Sequence, residues 1–153
     1  MKRFSFRFKS VLDVKNIKEE LKQKEFSAVE RLLREEEGLL RHFLSEQEML
    51  QNSLSSELSK KISGVELAFH HEYGLALTKA IKNQEEKLQI LRKSLDEKRN
   101  ELIEATKEKK VIENIKKRDI KEYRSSLARE EQNFLDDITA THYGKFSNAS
   151  HQK

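Results

Sequence analysis

One apolar stripe with a strict four–three step constrains this sequence more than any other feature. It runs from Leu77 to Ile112, and eight of its eleven positions are apolar. The positions are Leu77, Ile81, Gln84, Leu88, Leu91, Leu95, Lys98, Leu102, Ala105, Lys109 and Ile112. A seven-residue repeat of this length makes an α-helix supercoil with a partner helix. The sequence therefore predicts an all-α coiled coil that buries a narrow seam in place of a globular core.

The composition agrees with this interpretation. Of the 153 residues 38% are charged and 35% are hydrophobic, and proline is absent. About half of the chain is Ala, Glu, Lys, Leu or Arg, which together with a heptad repeat is typical of coiled coils. The net charge of +4 comes from basic and acidic residues that interleave. Such a mixed surface argues against a nucleic-acid-binding protein.

Cysteine is absent, which excludes disulfides and thiolate metal sites. The first eight residues are basic and aromatic but contain no apolar run of the length of a signal peptide, so none is expected. No run approaches the roughly 18 apolar residues of a membrane span. We therefore expect a cytoplasmic protein.

Helical spacing in the first half of the chain begins around residue 8. The apolar positions are Val11, Val14, Leu21, Ala28 and Leu32. The seam then moves by one position at Leu32 and Leu33. It continues as Leu33, Glu36, Leu40, Phe43, Gln47, Leu50 and Leu54. We expect a first helix over residues 8–56 whose supercoil changes locally at this slip.

A serine-rich segment predicts the turn at residues 57–63. Ser63 and Glu66 have capping-box spacing, which favours a second helix over residues 64–143. A break at Gly74 is the alternative. We expect a single antiparallel hairpin over residues 1–146, with a disordered tail at residues 147–153.

A turn near residue 60 leaves the second helix longer than the first. Residue 8 would lie opposite about residue 112, so roughly thirty residues of the second helix would overhang. The overhang carries Tyr123, Leu127, Phe134, Leu135 and Ile138. A lone helix with an uncovered apolar stripe is a docking element, unless it dimerises or frays.

No motif in the chain predicts catalysis. His70 and His71 are adjacent, so on a helix they point about 100° apart and cannot chelate one metal ion together. There is no glycine-rich phosphate loop and no nucleophile elbow. We expect no enzyme activity, no catalytic residue, no metal and no cofactor. The polar seam residues Gln84, Lys98 and Lys109 are expected to set the register of the helices.

Near the turn, the doubled positions Leu39–Leu40 and Phe43–Leu44 provide more large apolar residues than a single seam can bury, and two rows of residues pass through this region. Leu39, Phe43, Glu46 and Leu50 share one spacing, and Tyr73, Leu77, Ala80 and Gln84 share the same spacing on the second helix. Both rows could form one two-helix surface for a partner. A wide seam or an additional bundle helix is an equal alternative.

Several segments resemble the family of the bacterial flagellar export protein FliJ. They are residues 4–8 and 10–12 at the aromatic start, 62–73 running into 77–84, 104–111 and 129–132. Their order along almost the whole chain carries the resemblance. It implies an antiparallel coiled coil similar to the gamma stalk of rotary ATP synthases.

The resemblance also implies partners. The helix ends would insert into the hexameric ring of the export ATPase (FliI-like). The hairpin would couple that ring to the export gate protein (FlhA-like) and escort export chaperones, as a monomeric hairpin at the cytoplasmic face of the cell membrane. Residues expected at the ATPase ring are Phe4, Phe6, Arg7, Phe8, Tyr123, Leu127, Phe134 and Ile138.

The family's gate-binding surface carries over to the two rows near the turn. These gate residues are Leu39, Phe43, Glu46 and Leu50, with Tyr73, Leu77, Ala80 and Gln84. Glu46 stands where the family has an aromatic residue, and Gln84 stands where it has a histidine. Alternative functions are the equivalent stalk of a virulence secretion system, a generic coiled-coil scaffold or homodimer, and a nucleic-acid-binding rod.

Overall fold

Two long helices form the protein. The computed structural model describes the backbone of residues 3–149 and the side chains of residues 3–141. Helix α1 comprises Lys9–Leu58 and helix α2 comprises Gly64–Ala149. They pack against each other in antiparallel directions, and the described part of the chain contains no strand. The all-α helical hairpin predicted from the stripe is confirmed.

The chain divides into two compact units. The turn unit comprises Ile17–Thr106, which holds the turn and the helix segments beside it. The termini unit comprises the described residues before Ile17 and after Thr106.

The turn occupies residues 59–63, and a reciprocal cap begins α2. The Glu66 backbone N–H donates to Ser63 Oγ at 3.2 Å, and the Ser63 backbone N–H donates to Glu66 Oε2 at 3.0 Å. These bonds satisfy two amides that a helix N-terminus leaves unpaired. The two donors of Ser63, its backbone N–H and then its hydroxyl, lower the pKa of the Glu66 carboxyl. The chain therefore turns before Gly64, and α2 passes through the alternative break at Gly74.

Helix α2 extends further than the sequence suggested. We placed its end near Tyr143, but it continues through Gly144 to Ala149, so residues 147–149 of the expected tail are helical. An isolated glycine inside a helix costs only about 1 kcal/mol relative to alanine, and no proline follows. Residues 150–153 of the expected tail lie outside the described residues.

In the turn unit the α2 stripe faces α1 as predicted. Every stripe position from Leu77 to Ala105 is buried or half-buried. Leu88 is the most enclosed large side chain of the stripe, at 2% exposure. Apolar contact between the two helices therefore runs along this unit.

The predicted slip in α1 is wrong. The four–three step continues without interruption through Lys22, Phe26, Val29, Leu33 and Glu36, all of them buried or half-buried. The residues assigned to the seam before the slip lie on another face of α1. They are Leu21, Ala28 and Leu32 in the turn unit, and Val11 and Val14 in the termini unit, all exposed.

The chemistry of the seam explains this error. In the turn unit Lys22 Nζ donates to Glu101 at 2.7 Å, and Lys98 Nζ donates to Glu25 at 3.0 Å. Charged side chains therefore occupy or flank the seam of α1 in this stretch. Because apolar periodicity indicates a buried face only where that face is apolar, it pointed to the exposed stripe of Leu21, Ala28 and Leu32.

Candidate functional site

The gate residues do not share one environment. Tyr73 is exposed, and its hydroxyl donates to Glu46 Oε2 at 3.0 Å across the two helices. This hydrogen bond to a carboxylate raises the pKa of the Tyr73 phenol. Leu39 is exposed, and Glu46 and Ala80 are half-buried. Leu39, Glu46, Tyr73 and Ala80 lie beside the seam, and we call these four residues the gate face.

Four gate residues lie in the seam itself, and one of them, Phe43, is half-buried. Leu77 is only 5% exposed and Gln84 only 6%. Leu50 is half-buried, and a Cβ placed on Gly74 would lie 3.5 Å from Leu50 Cδ2. Substitution of Leu77 or Gln84 would disturb the hairpin before it disturbed a bound partner.

Gln84 fixes the register of the seam. Its side-chain amide donates to the Glu36 backbone oxygen at 3.0 Å and to the Glu36 carboxylate at 2.6 Å. Lys87 Nζ donates to the same carboxylate at 2.6 Å. The Lys87 ammonium and then the Gln84 amide lower the pKa of the Glu36 carboxyl. A one-residue slip would leave these buried polar groups unpaired, which is costly.

In the termini unit the aromatic start packs on α2. The rings of Phe4 and Tyr123 have centroids 5.5 Å apart, and Phe6 is buried against Phe8 with centroids 6.0 Å apart. Arg7 lies over the Phe8 ring at 5.4 Å but remains exposed. Phe6 is therefore a packing residue, although the sequence placed it at the ATPase ring.

The overhang is shorter than expected. Lys15 Nζ pairs with Glu108 at 2.7 Å, and residues before α1 reach Tyr123. Tyr123 and Leu127 are consequently half-buried, although we placed both in the uncovered part of α2. The uncovered part begins at residue 128, and all residues from there to 141 are exposed.

Three large apolar side chains project from this uncovered segment. Phe134 is 66% exposed, and Leu135 and Ile138 are exposed as well. Phe134 and Ile138 are one helical turn apart, so they share a face. We call residues 128–141 the overhang, and its apolar face lacks a covering helix within the described chain.

The structure also contains an apolar groove that shares only Leu50 with the gate residues named from the sequence. Its volume is about 680 Å³, and it lies between α1 and α2 near the turn. Its apolar lining includes Leu50, Leu54, Leu67, Ala68 and Leu75. The signal in the sequence was the pair Leu67 and Leu75, two apolar residues eight positions apart, which is a helical spacing.

The adjacent histidines differ in their surroundings. His70 Nε2 lies 2.8 Å from Glu57 Oε2, whereas His70 Nδ1 is buried without a hydrogen-bond partner. His71 is exposed and lines the groove. Among the described residues no group of three or more His, Cys, Asp or Glu side chains could hold a metal ion. Over all the residues that the structure describes, no helix is long and apolar enough to cross a membrane.

The family model described as flagellar FliJ protein matches residues 4–146 of this sequence. No curated protein and no solved structure matches it. The family match includes both helices, the turn and the aromatic start. The chain therefore belongs to the FliJ family of flagellar, export-associated proteins.

Proposed function

We propose that this hairpin couples the flagellar export ATPase to the export gate, without catalysis of its own, and escorts export chaperones. The observation that carries the proposal is the overhang, where α2 continues past the last residues that cover it. A single helix gains little stability in water without a packing partner. Its exposed apolar face therefore favours a protein partner at this end.

The termini unit supplies the proposed ATPase contact. Phe134 and Ile138 offer apolar anchors one turn apart on the overhang. Arg7 is exposed beside the Phe8 ring and adds a cation. The packing of Phe4 on Tyr123 holds the N-terminal segment against α2, which limits the ordering needed on binding.

The turn unit supplies the proposed gate contact. Leu39 and Tyr73 are exposed, one on each helix, and Glu46 fixes the Tyr73 hydroxyl. Aromatic anchors of this kind are enriched among residues that dominate binding energy. Leu77 and Gln84 support this face from the seam, because their side chains are already covered by α1.

Two double variants, one for each surface, test the proposed contacts with the export ATPase and the export gate protein in one experiment. The gate variant is Leu39→Ala with Tyr73→Ala, and the overhang variant is Phe134→Ser with Ile138→Ser. Each variant and the wild type would be titrated against the purified export ATPase and, separately, the purified cytoplasmic part of the export gate protein. We expect the gate variant to lose about tenfold in affinity for the gate protein only, and the overhang variant about tenfold for the ATPase only.

Each variant is the control for the other, because both remove exposed apolar side chains. Circular dichroism should show wild-type helicity for both, and light scattering should give a monomer. Wild-type affinity of the overhang variant for the ATPase would remove the ATPase contact from the proposal. Wild-type affinity of the gate variant for the gate protein would remove the gate contact.

A further inference from the structure

The apolar groove of the turn unit lies on the side of the seam away from Tyr73. His71 lines the groove, and residues two apart on a helix point about 200° apart. On α1, Gln47 lines the groove whereas the neighbouring Glu46 accepts from Tyr73. The groove and the gate face are therefore separate surfaces of the same helices.

The groove has the shape of a binding site for a third helix. Leu67 and Leu75 are exposed within it, with Leu75 at 54%, and Ala68 lies between them. Gly74 also lines the groove, and a Cβ placed on it would lie 3.5 Å from Leu50 Cδ2, so this part of the groove floor is the contact between α1 and α2. An amphipathic helix that inserts apolar residues between two helices uses this arrangement.

The charge beside the groove is acidic, in contrast to the whole chain. Residues 47–78, which contain the groove lining, carry four carboxylates and two lysines, a net charge of −2, whereas the chain carries +4. Glu72 follows Ala68 by one turn, and Glu48 precedes the lining residue Gln51 by three positions. Both glutamates are exposed and form no ion pair with other described residues.

We propose that this groove binds an amphipathic helix of another protein whose polar face carries Lys or Arg. The apolar lining would bury its Leu-type side chains, and Glu48 and Glu72 would pair with its cations. A second copy of this chain is a poorer occupant. A two-fold contact through the groove would bring the two acidic segments together, and like charges repel.

Two synthetic peptides test the proposal with the full chain. One is a fluorescein-labelled 18-residue helix of Leu and Lys in a 3.6-residue pattern, about 27 Å long, and the other has Glu in place of every Lys. Fluorescence anisotropy should show at least about tenfold tighter binding of the Lys peptide. Leu67→Ser with Leu75→Ser should weaken that binding at least about tenfold.

Matched variants locate the binding. Val65→Ser with Phe69→Ser removes two exposed apolar side chains of α2 that do not line the groove, and should leave the affinity unchanged. Glu48→Gln with Glu72→Gln should weaken binding by a smaller factor and flatten its salt dependence. The gate variant should bind the Lys peptide as the wild type does, which separates this result from the gate proposal.

Four outcomes would overturn the proposal. They are equal binding of the two peptides, equal losses in the groove and control variants, loss of binding in the gate variant, and a wild-type dimer that Leu67→Ser with Leu75→Ser converts to a monomer. Circular dichroism should stay unchanged in all variants, because the substituted side chains are exposed.

Discussion

Two stretches of the same seam in the turn unit are held together by different interactions. Near the turn Leu33, Leu77, Ile81 and Leu88 are buried between the helices. We call this the apolar stretch. Further from the turn, four charged side chains occupy or flank the seam: Lys22, Glu25, Lys98 and Glu101. We call this the charged stretch.

The charged stretch is a closed cluster of ion pairs. Hydrogen bonds to the carboxylates raise the pKa of both lysines. For Lys22 the larger effect comes from Glu101 and the smaller from Glu25, whereas for Lys98 the larger effect comes from Glu25. The carboxylates respond in the opposite sense. The pKa of Glu25 is lowered mainly by Lys98 and less by Lys22. The pKa of Glu101 is lowered mainly by Lys22 and less by Lys98. These groups remain partly exposed, so each pair is screened by water and salt.

The two stretches contribute differently to the stability of the turn unit and to the alignment of its helices. Burial of leucine gives a large, non-directional gain, whereas partly exposed ion pairs give little net free energy. Charged and amide groups that match only in one alignment do set register. We infer that the apolar stretch supplies most of the stability of the turn unit, and that the charged stretch, together with the contact between Gln84 and Glu36, fixes the alignment of its helices.

The largest expected effect separates a seam leucine from an exposed one. Leu88→Ala removes a side chain that is 2% exposed and should lower the free energy of unfolding by about 2–4 kcal/mol. Leu21→Ala removes a leucine that is 53% exposed, from the stripe that the sequence assigned to the seam, and should change it by less than about 0.5 kcal/mol. Urea denaturation followed by circular dichroism measures both. Similar losses in the two variants would mean that the exposed stripe is covered in solution.

Leu88 and Leu21 also show which parts of the fold the sequence could predict. Leu88 belongs to a stripe whose apolar periodicity located the α2 seam, and Ser63 and Glu66 located the turn. Leu21 also fits an apolar period, yet it faces solvent. Apolar periodicity identifies a buried face only where burial is apolar. In the charged stretch Lys22 and Glu25 each also pair with a residue of the other helix, more than seventy residues along the chain.

The candidate surfaces follow the same division. The sequence placed Leu39 and Tyr73 in two rows of one spacing near the turn, and both side chains are exposed. The same rows contain Leu77, which also belongs to the apolar stripe and is buried, because the exposure of each row depends on the rotation of each helix toward its partner. The groove was missed because its walls come from both helices and its shape depends on their register.

A smaller effect tests coupling within the charged stretch. Glu25→Ala and Lys98→Ala each break the contact between Glu25 and Lys98, which is 3.0 Å long in the wild type. We expect the double variant to lose less stability than the two single losses added together. The midpoint of urea unfolding at low salt measures the coupling, which should shrink as salt is added.

Arg31 and Glu35 form the control pair for this cycle. Their atoms are 3.9 Å apart and both side chains are largely exposed, so Arg31→Ala and Glu35→Ala should be additive within error. Additive losses at Glu25 and Lys98 as well would mean that the charged cluster does not act as a unit. The register would then depend on Gln84 and the apolar seam alone.

The smallest expected effect is a change in how stability depends on pH. The pKa of Glu101 in the folded chain lies below its ordinary value of 4.5, because Lys22 and then Lys98 donate to its carboxylate. The unfolded chain therefore binds protons before the folded chain as the pH falls. The stability that Glu101 contributes is present above about pH 4.5 and is lost as the pH falls through its folded pKa.

Glu101→Gln should accordingly flatten the fall of the thermal midpoint between about pH 5 and pH 3, while lowering the midpoint slightly at pH 7. Thermal unfolding by circular dichroism across this range measures the slope. The control is Glu97→Gln, which removes an exposed carboxylate on the same helix with no ion-pair partner among the described residues. If the two variants showed the same slope, the cluster would form only transiently, and the alignment of the helices would depend on the apolar stretch and on the contact between Gln84 and Glu36.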